Sequence, residues 1–165
     1  MIKKILLAVA LAIPMFVSAQ TLKVGVVDTS VIMQAMPDTK TAETKLADTS
    51  KKYEDEFAKL QQEFGRLYEE FQKMPESEPP AIRERKTREL ADMNQKIETF
   101  QQSASQDLQK MQQELMAPIV AKIKSAIESV GKENGYAMIQ EAAALIYYAA
   151  PVEDITPKVK QKLGL

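Results

Sequence analysis

No cysteine, histidine or tryptophan occurs in this chain, and only 5 of its 165 residues are glycine. Without cysteine, a disulfide scaffold cannot form. Without histidine and cysteine, the chain lacks the usual ligands of transition metals and the usual nucleophile–base pairs. The few glycines form no glycine-rich phosphate loop. The carboxylates are scattered through charged helical stretches, where we expect solvated faces rather than an acid–base pair in a pocket. The composition therefore predicts no enzyme, no cofactor and no metal site.

The first 19 residues predict a cleaved signal peptide. Lys3 and Lys4 precede an apolar run over residues 5–17, and the small residues Ser18 and Ala19 follow it. This run is shorter than the about 20 residues that a membrane span needs; an uncleaved anchor is the alternative. Cleavage after Ala19 removes 2 of the 22 basic residues and leaves 23 acidic ones, for a net charge of −3. A nucleic-acid-binding protein would show a basic face, so we expect an exported protein that binds no nucleic acid.

Two long stretches of helical periodicity flank a proline-rich segment at residues 75–80. In the later part of residues 38–74, apolar positions alternate in steps of four and three, which is the heptad pattern of a coiled coil. Residues 80–117 continue this pattern, with a doubled step of four at Ala104 that departs from the heptad. The prolines end the first helix and set the start of the second. We therefore predict one long hairpin arm, residues 38–117, whose tip is the proline-rich segment.

The two predicted arm helices fit together as an antiparallel pair. Apolar seam positions face each other along nearly the whole arm when the numbers of paired residues sum to about 157. The exception is Phe71, which faces Arg85 or Lys86, whose long stems can lie along an aromatic ring. The seam weakens near Thr49 and Ser50. Each helix of roughly 37 residues extends about 55 Å at the helical rise.

The residues outside the arm, 20–37 and 118–165, predict a small head. Residues 22–28 are short and β-branched, which indicates a strand. A short helix follows, with Thr29 or Ser30 as its expected N-cap.

The second part of the head follows Pro118, which either kinks the helix or opens a new one. Two further strands are predicted at residues 136–140 and about 145–149. Thr156 is the expected N-cap of a last helix over residues 157–163. The predicted fold class is α+β and mostly helical, with three strands in the head and one coiled-coil arm.

A three-stranded head with open sheet edges is marginal on its own and invites pairing with another chain. Its strand residues are apolar on both faces, and a two-helix arm buries its seam on one side only. The pattern predicts an oligomer whose heads share a core and whose arms stand side by side. A monomer with the strands packed under its own helix is the alternative.

Two segments resemble the Skp (OmpH-like) family of periplasmic chaperones. Residues 152–163, VEDITPKVKQKL, are similar to the C-terminal segment of the family, and residues 23–33, KVGVVDTSVIM, to its opening strand and helix. The order of elements matches over the whole mature chain. The resemblance implies a periplasmic homotrimer in which the heads close one small β-barrel and three arms surround a cavity. It also implies an ATP-independent holdase that binds unfolded outer-membrane β-barrel proteins and prevents their aggregation.

The resemblance gives head-core and oligomerisation roles to Val24, Val26, Met138, Ile139 and Ile146, and we expect the same of Tyr148 on the last predicted strand. In charge the chain departs from the family, whose well-known members are basic. Its basic segment at residues 83–88, RERKTR, lies among glutamates. This arrangement favours a salt-bridged helix face over contact with a membrane surface.

A holdase needs many weak apolar contacts inside an enclosure, and the arm offers candidates off the seam or near its thin end. Methionine suits such contacts because it is flexible and polarizable. The candidate client-binding residues are Phe64, Tyr68, Phe71, Met74, Ile82 and Met93. Ordinary seam packing is the alternative for each of them.

Gly65 lies inside the first arm helix, where a glycine costs about 1 kcal/mol relative to alanine. We interpret it as a hinge that lets the tip open around clients of different size. Close approach of the other helix at Ala91 or Asp92, or mere tolerance of a glycine at this position, is the alternative. For the whole chain, the alternative to a holdase is a coiled-coil adaptor that binds folded partners in the cell envelope.

Overall fold

The computed structural model describes residues 22–165, so the predicted signal peptide lies outside the described residues. The elements are β1 Val24–Val27, α1 Thr29–Ala35, α2 Pro37–Gln72, α3 Pro80–Asn134, β2 Met138–Glu141, a 3-10 turn Ala142–Ala144, β3 Glu153–Asp154 and α4 Thr156–Lys162. Across this range, no helix combines the length and the apolar character that a membrane crossing requires. The α+β, mostly helical fold class is confirmed.

Helices α2 and α3 form the predicted antiparallel hairpin. Helix α2 has 36 residues, which corresponds to about 54 Å at the helical rise. Helix α3 has 55 residues and continues past the base of the arm into the head. At the tip, α2 ends before Pro75, and Pro80 is the first residue of α3, where a missing N–H costs little.

Pro118 lies inside α3 and does not end it. A proline removes one helical hydrogen bond. The residues directly beyond it, Ile119 and Ile123, are buried in the head core. Their packing accounts for a helix that stays continuous where the sequence alone also allowed a new helix to begin.

The head contains a parallel three-stranded sheet in the order β2-β1-β3. The prediction of the last strand at residues 145–149 is wrong, because β3 is Glu153–Asp154. Since β2 and β3 are both parallel to β1, the chain between them must return to the starting end of the sheet. Residues 142–152 make this return, and their β-prone residues Ile146 and Tyr147 are exposed instead of paired.

The head core lies between the sheet, α1, α4 and the end of α3. Its largest fully buried side chains are Val26, Ile32, Ile155 and Val159. They come from β1, α1, the residue before α4, and α4 itself. The core therefore depends on segments from both ends of the described chain.

Two helix caps differ from the prediction. Asp28, rather than Thr29 or Ser30, caps α1, because its carboxylate accepts a hydrogen bond from the Val31 backbone N–H at 3.0 Å. The hydroxyl of Thr156 does not cap α4. It accepts a hydrogen bond from the Asp28 backbone N–H at 2.9 Å and thereby ties α4 to the end of β1.

Candidate functional site

The arm seam joins α2 and α3 through apolar and aromatic contacts. The ring centroids of Tyr53 and Phe100 lie 5.9 Å apart, with the planes at 69°. The Tyr53 hydroxyl donates a hydrogen bond to Asp107 at 3.1 Å, and this contact raises the pKa of Tyr53. Leu60 and Ala104 are buried in the same seam. These cross-helix contacts confirm the predicted antiparallel hairpin.

The six candidate client-binding residues differ in exposure. Tyr68 is 47% exposed and Ile82 is 36% exposed. The other four are half-buried: Phe64, Phe71, Met74 and Met93. The rings of Phe64 and Tyr68 stack, with centroids 6.3 Å apart and planes at 11°. We call this pair the aromatic strip; Tyr68 is its exposed member. The client-binding role of all six residues stays a prediction.

Arg83 lies over the Phe71 ring, and the predicted pairing of Phe71 with Arg85 or Lys86 stays a prediction. The guanidinium carbon of Arg83 lies 5.9 Å from the Phe71 ring centroid. A nitrogen of the same guanidinium donates a hydrogen bond to the Pro75 carbonyl at 2.9 Å. The arginine therefore reaches across the tip to a turn carbonyl, which also accepts a hydrogen bond from the Glu78 backbone N–H at 3.1 Å, and it passes over the ring.

The arm surface carries several shallow hollows that sequence reasoning did not identify, and two of them are informative. One of about 320 Å³ lies near the tip, beside Leu67 and Met93. The other, of about 440 Å³, lies lower on the arm and is lined in part by Leu46, Ser50 and Leu108. The weak seam near Ser50 and the irregular heptad step were the available signals for the lower hollow.

Gly65 lies in open surroundings. A Cβ added at this position would meet no heavy atom within 4 Å, apart from its own helix backbone and chain neighbours. Close approach of the other helix therefore does not require this glycine. The hinge role of Gly65 stays a prediction.

The basic segment at residues 83–88 forms the salt-bridged face that the sequence favours. Lys86 bridges Glu89 at 2.8 Å and, across the hairpin, Glu70 at 3.4 Å. The hydrogen bond with Lys86 lowers the pKa of Glu89, and the hydrogen bonds with both glutamates raise the pKa of Lys86. On α2, the hydrogen bond from Arg66 lowers the pKa of Glu63.

The six predicted head-core and oligomerisation residues divide into two groups in the single chain. Val26 is fully buried, and Val24 and Ile139 are half-buried. The other three are exposed: Met138, Ile146 and Tyr148. Met138 begins β2, which is an edge strand of the described sheet. An exposed apolar edge is a template for another chain, so the contact role of these residues stays a prediction with a defined surface.

A polar cluster fastens β3 to the rest of the head. The Tyr136 hydroxyl donates a hydrogen bond to Glu153, and the Lys158 ammonium donates to the same carboxylate at 2.6 Å. The hydrogen bond from Lys158, followed by the one from Tyr136, lowers the pKa of Glu153 to about 2. The Lys23 ammonium lies 4.1 Å from the Tyr136 ring centroid. The cluster thus joins β3 to α4 and to the residues that precede β1 and β2.

Between residues 22 and 165, no group of three or more potential ligands is placed to hold a metal ion. The larger arm hollow is lined by leucine, alanine, serine and glutamine side chains and a single glutamate.

Comparison with known proteins gives a consistent result. The family described as "Outer membrane protein (OmpH-like)" matches residues 23–163 of this chain. The chain is also 26% identical over 163 residues to the "Chaperone protein Skp" of Yersinia enterocolitica, and the match covers 98% of this chain and 99% of that protein. The match to the family spans every helix and strand of the described residues. The chain therefore belongs to the OmpH-like family.

Proposed function

We propose that this chain is an ATP-independent holdase chaperone of the periplasm that binds unfolded outer-membrane β-barrel proteins. The observation that carries the proposal is the arm, a two-helix hairpin of about 54 Å with exposed apolar side chains near its tip. Two helices alone leave part of their apolar surface uncovered, and such surface is available to another chain. Membership of the OmpH-like family and the similarity to a chaperone protein Skp support the proposal.

The side chains of the arm suit an unfolded client. An unfolded barrel protein exposes apolar strands that aggregate. Tyr68 and Ile82 offer the exposed contacts, and the flexible thioethers of Met74 and Met93 adapt to varied partners. Many weak contacts of this kind hold a chain without fixing its conformation, and no step needs a catalytic group.

We further propose that three copies assemble through their heads. Met138, Ile146 and Tyr148 are exposed in the single chain, and strand pairing at the β2 edge with a second copy would cover them. Cyclic symmetry would then set three arms around one cavity. Export through a signal peptide, cleaved after Ala19, would place this assembly in the periplasm.

Native mass spectrometry of residues 20–165 tests the proposal. The protein is measured alone and after a urea-unfolded outer-membrane barrel protein is diluted into it. We expect three copies alone, three copies plus one client when the client is unfolded, and no complex with the same client after it has folded. The client's light scattering, recorded in parallel, should stay low only when the chaperone is present.

The opposite outcome points to a structural adaptor. A monomer or dimer that ignores the unfolded client, and leaves its light scattering unchanged, would contradict the holdase. Binding of a folded envelope protein through a defined patch would then favour the coiled-coil adaptor.

A further inference from the structure

The arm tip carries a continuous chain of alternating charges. Glu63 bridges Arg66, Arg66 also bridges Glu70, and Glu70 bridges Lys86 across the hairpin at 3.4 Å. Lys86 bridges Glu89 at 2.8 Å, and Glu89 bridges Arg85 at 3.6 Å. This tip network has as many carboxylates as cations, so its net charge is zero. Its members are Glu63, Arg66, Glu70, Lys86, Glu89 and Arg85.

Most of the remaining cations near the tip are paired as well. Lys73 bridges Glu69 at 3.4 Å, and Arg88 bridges Glu84 at 3.9 Å. Four of the six residues at 83–88 are basic, and three of these four have a carboxylate partner within the hairpin. The fourth, Arg83, donates a hydrogen bond to the neutral Pro75 carbonyl.

The tip charges that have no salt bridge are of both signs. Among the described residues, no salt bridge reaches Glu76 or Glu78 in the turn or Asp92 beside the tip hollow, and none reaches Arg83 or Lys96. A charged segment that approaches the tip would therefore meet balanced pairs or unpaired charges of both signs. Such a surface gives neither sign of client a strong long-range attraction.

The exposed apolar residues lie beside these balanced charges. Arg66 lies between Phe64 and Tyr68 in the sequence, and glutamates on both sides hold its guanidinium. Opposite charges in contact cancel over distances beyond the Debye length of about 8 Å at physiological salt. The aromatic strip is thus an apolar surface whose neighbouring charges are balanced. Balanced charges produce no long-range field that could steer a charged client.

We infer that the arm tip takes up apolar segments of an unfolded protein by contact alone and does not select them by their net charge. The inference rests on the proposed holdase function and adds to it the class of segment that this site accepts. Within the tip network, Lys86 of the RERKTR segment joins α3 to α2 through Glu70, and Arg85 is paired with Glu89 of its own helix.

Two peptides of matched apolar pattern test the inference on residues 20–165. Both alternate leucine and tyrosine with polar positions; one carries lysine at those positions and the other glutamate. Fluorescence anisotropy gives Kd for each at about 20 mM and about 300 mM NaCl. We expect all Kd values to agree within about two-fold, since contact with apolar surface responds weakly to screening. A ten-fold preference for either peptide, or a ten-fold loss of affinity with salt, would overturn the inference.

Variants of the tip sharpen the test. Glu70→Gln keeps the size of the side chain and takes a shared partner from Arg66 and Lys86, so we expect a new preference for the glutamate peptide that fades at high salt. Glu54→Gln, on the lower arm, is the matched control and should change nothing. Tyr68→Ser should weaken both peptides equally. If Glu70→Gln leaves the affinities for both peptides unchanged, the tip network is not what makes binding independent of peptide charge, and the inference is wrong.

The light-scattering assay separates this inference from the proposed function. A protein that does not suppress aggregation of the unfolded barrel client fails as a holdase. A protein that suppresses aggregation but strongly prefers one peptide overturns the inference alone. If aggregation is suppressed and neither peptide binds, the client is held elsewhere and the inference about the tip is wrong.

Discussion

The head and the arm bury their apolar residues to different extents. In the head, Val26, Ile32 and Ile155 are fully buried by a sheet and by helices on its flanks. In the arm beyond its base, the best-covered large side chain, Leu60, remains 7% exposed, and most seam residues are half-buried because two helices alone enclose them.

This difference separates two tasks along one chain. A closed core stabilises the head and fixes the position of its strands. An open seam leaves apolar surface along the arm, where contact with another protein is proposed. Substitutions of the same type in the two regions should therefore have different consequences.

The largest effect is expected from Ile155→Ala in the head. Removal of this fully buried side chain should cost about 2–5 kcal/mol of unfolding free energy. In the arm, Leu60→Ala should cost about 2 kcal/mol, at the low end of the same range, because two helices can move together and close the gap. Urea unfolding followed by circular dichroism measures both. The exposed Val120→Ala should stay within about 0.5 kcal/mol, and equal losses for Ile155 and Leu60 would contradict the comparison.

Gly25→Ala should destabilise the head by about 1–3 kcal/mol, as an overpacked site does. An added Cβ would lie 3.2 Å from Ile155 Cγ2 and 3.3 Å from the Tyr136 ring. Both neighbours are held in place, Ile155 by the core and Tyr136 by its hydrogen bond to Glu153. Thermal unfolding shows whether the stability of the Gly25→Ala variant falls, as expected, or rises. A rise in Tm would show that the ring and the isoleucine move aside freely.

The same change in the arm should have the opposite sign. Gly65→Ala places a Cβ in open space and should stabilise the helix by about 0.5–1 kcal/mol. If Gly65 is a hinge, spin labels on the tip should also report reduced mobility, and the range of client sizes should narrow. Unchanged tip mobility in the alanine variant would rule out the hinge and leave only the gain in stability.

The smallest change in unfolding free energy is expected when acid protonates a carboxylate of the head. Folding lowers the pKa of Glu153 from its ordinary 4.5 to about 2, chiefly through the hydrogen bond from Lys158. Its contribution to stability is therefore present above pH 4.5 and is lost as the pH falls toward 2. The effect is small because the side chain is partly exposed and solvent screens it. Urea midpoints measured from neutral to acidic pH should fall less steeply for Glu153→Gln; identical slopes would show that this carboxylate does not contribute.

The arm could be predicted from sequence because its contacts repeat with the helical period. The alternating steps from Tyr53 to Met74 and the prolines at the tip are local signals, and the hairpin follows them. The contact of Arg83 with the Phe71 ring was not predicted, since register gives Cα positions and not the reach of a long side chain.

The head was harder because its pairings are remote in the chain. Residues 145–149 have strand composition, but the parallel topology makes them a connection, and the third strand is the acidic pair Glu153–Asp154. Threonine is a residue type that often caps helices, yet the Thr156 hydroxyl accepts a hydrogen bond from the Asp28 backbone N–H near the other end of the described chain. The glutamates around the RERKTR segment predicted salt bridges at the tip. The bridge from Lys86 to Glu70 across the hairpin was not predicted, because it depends on how the two helices are placed.

The central position of β1 also constrains the order of folding. This strand comes first among the described elements, and both of its neighbours, β2 and β3, come after the entire arm. In a newly made chain, β1 therefore stays without its sheet partners until the residues that follow the arm have been made. Zipping of α2 against α3 can start at the tip, where the paired residues are close in sequence. It brings Asp38 and Pro118 to the same hollow at the base of the arm, which shortens the loop that the sheet must close. The closed hairpin thus keeps the two parts of the head close to each other while the sheet forms.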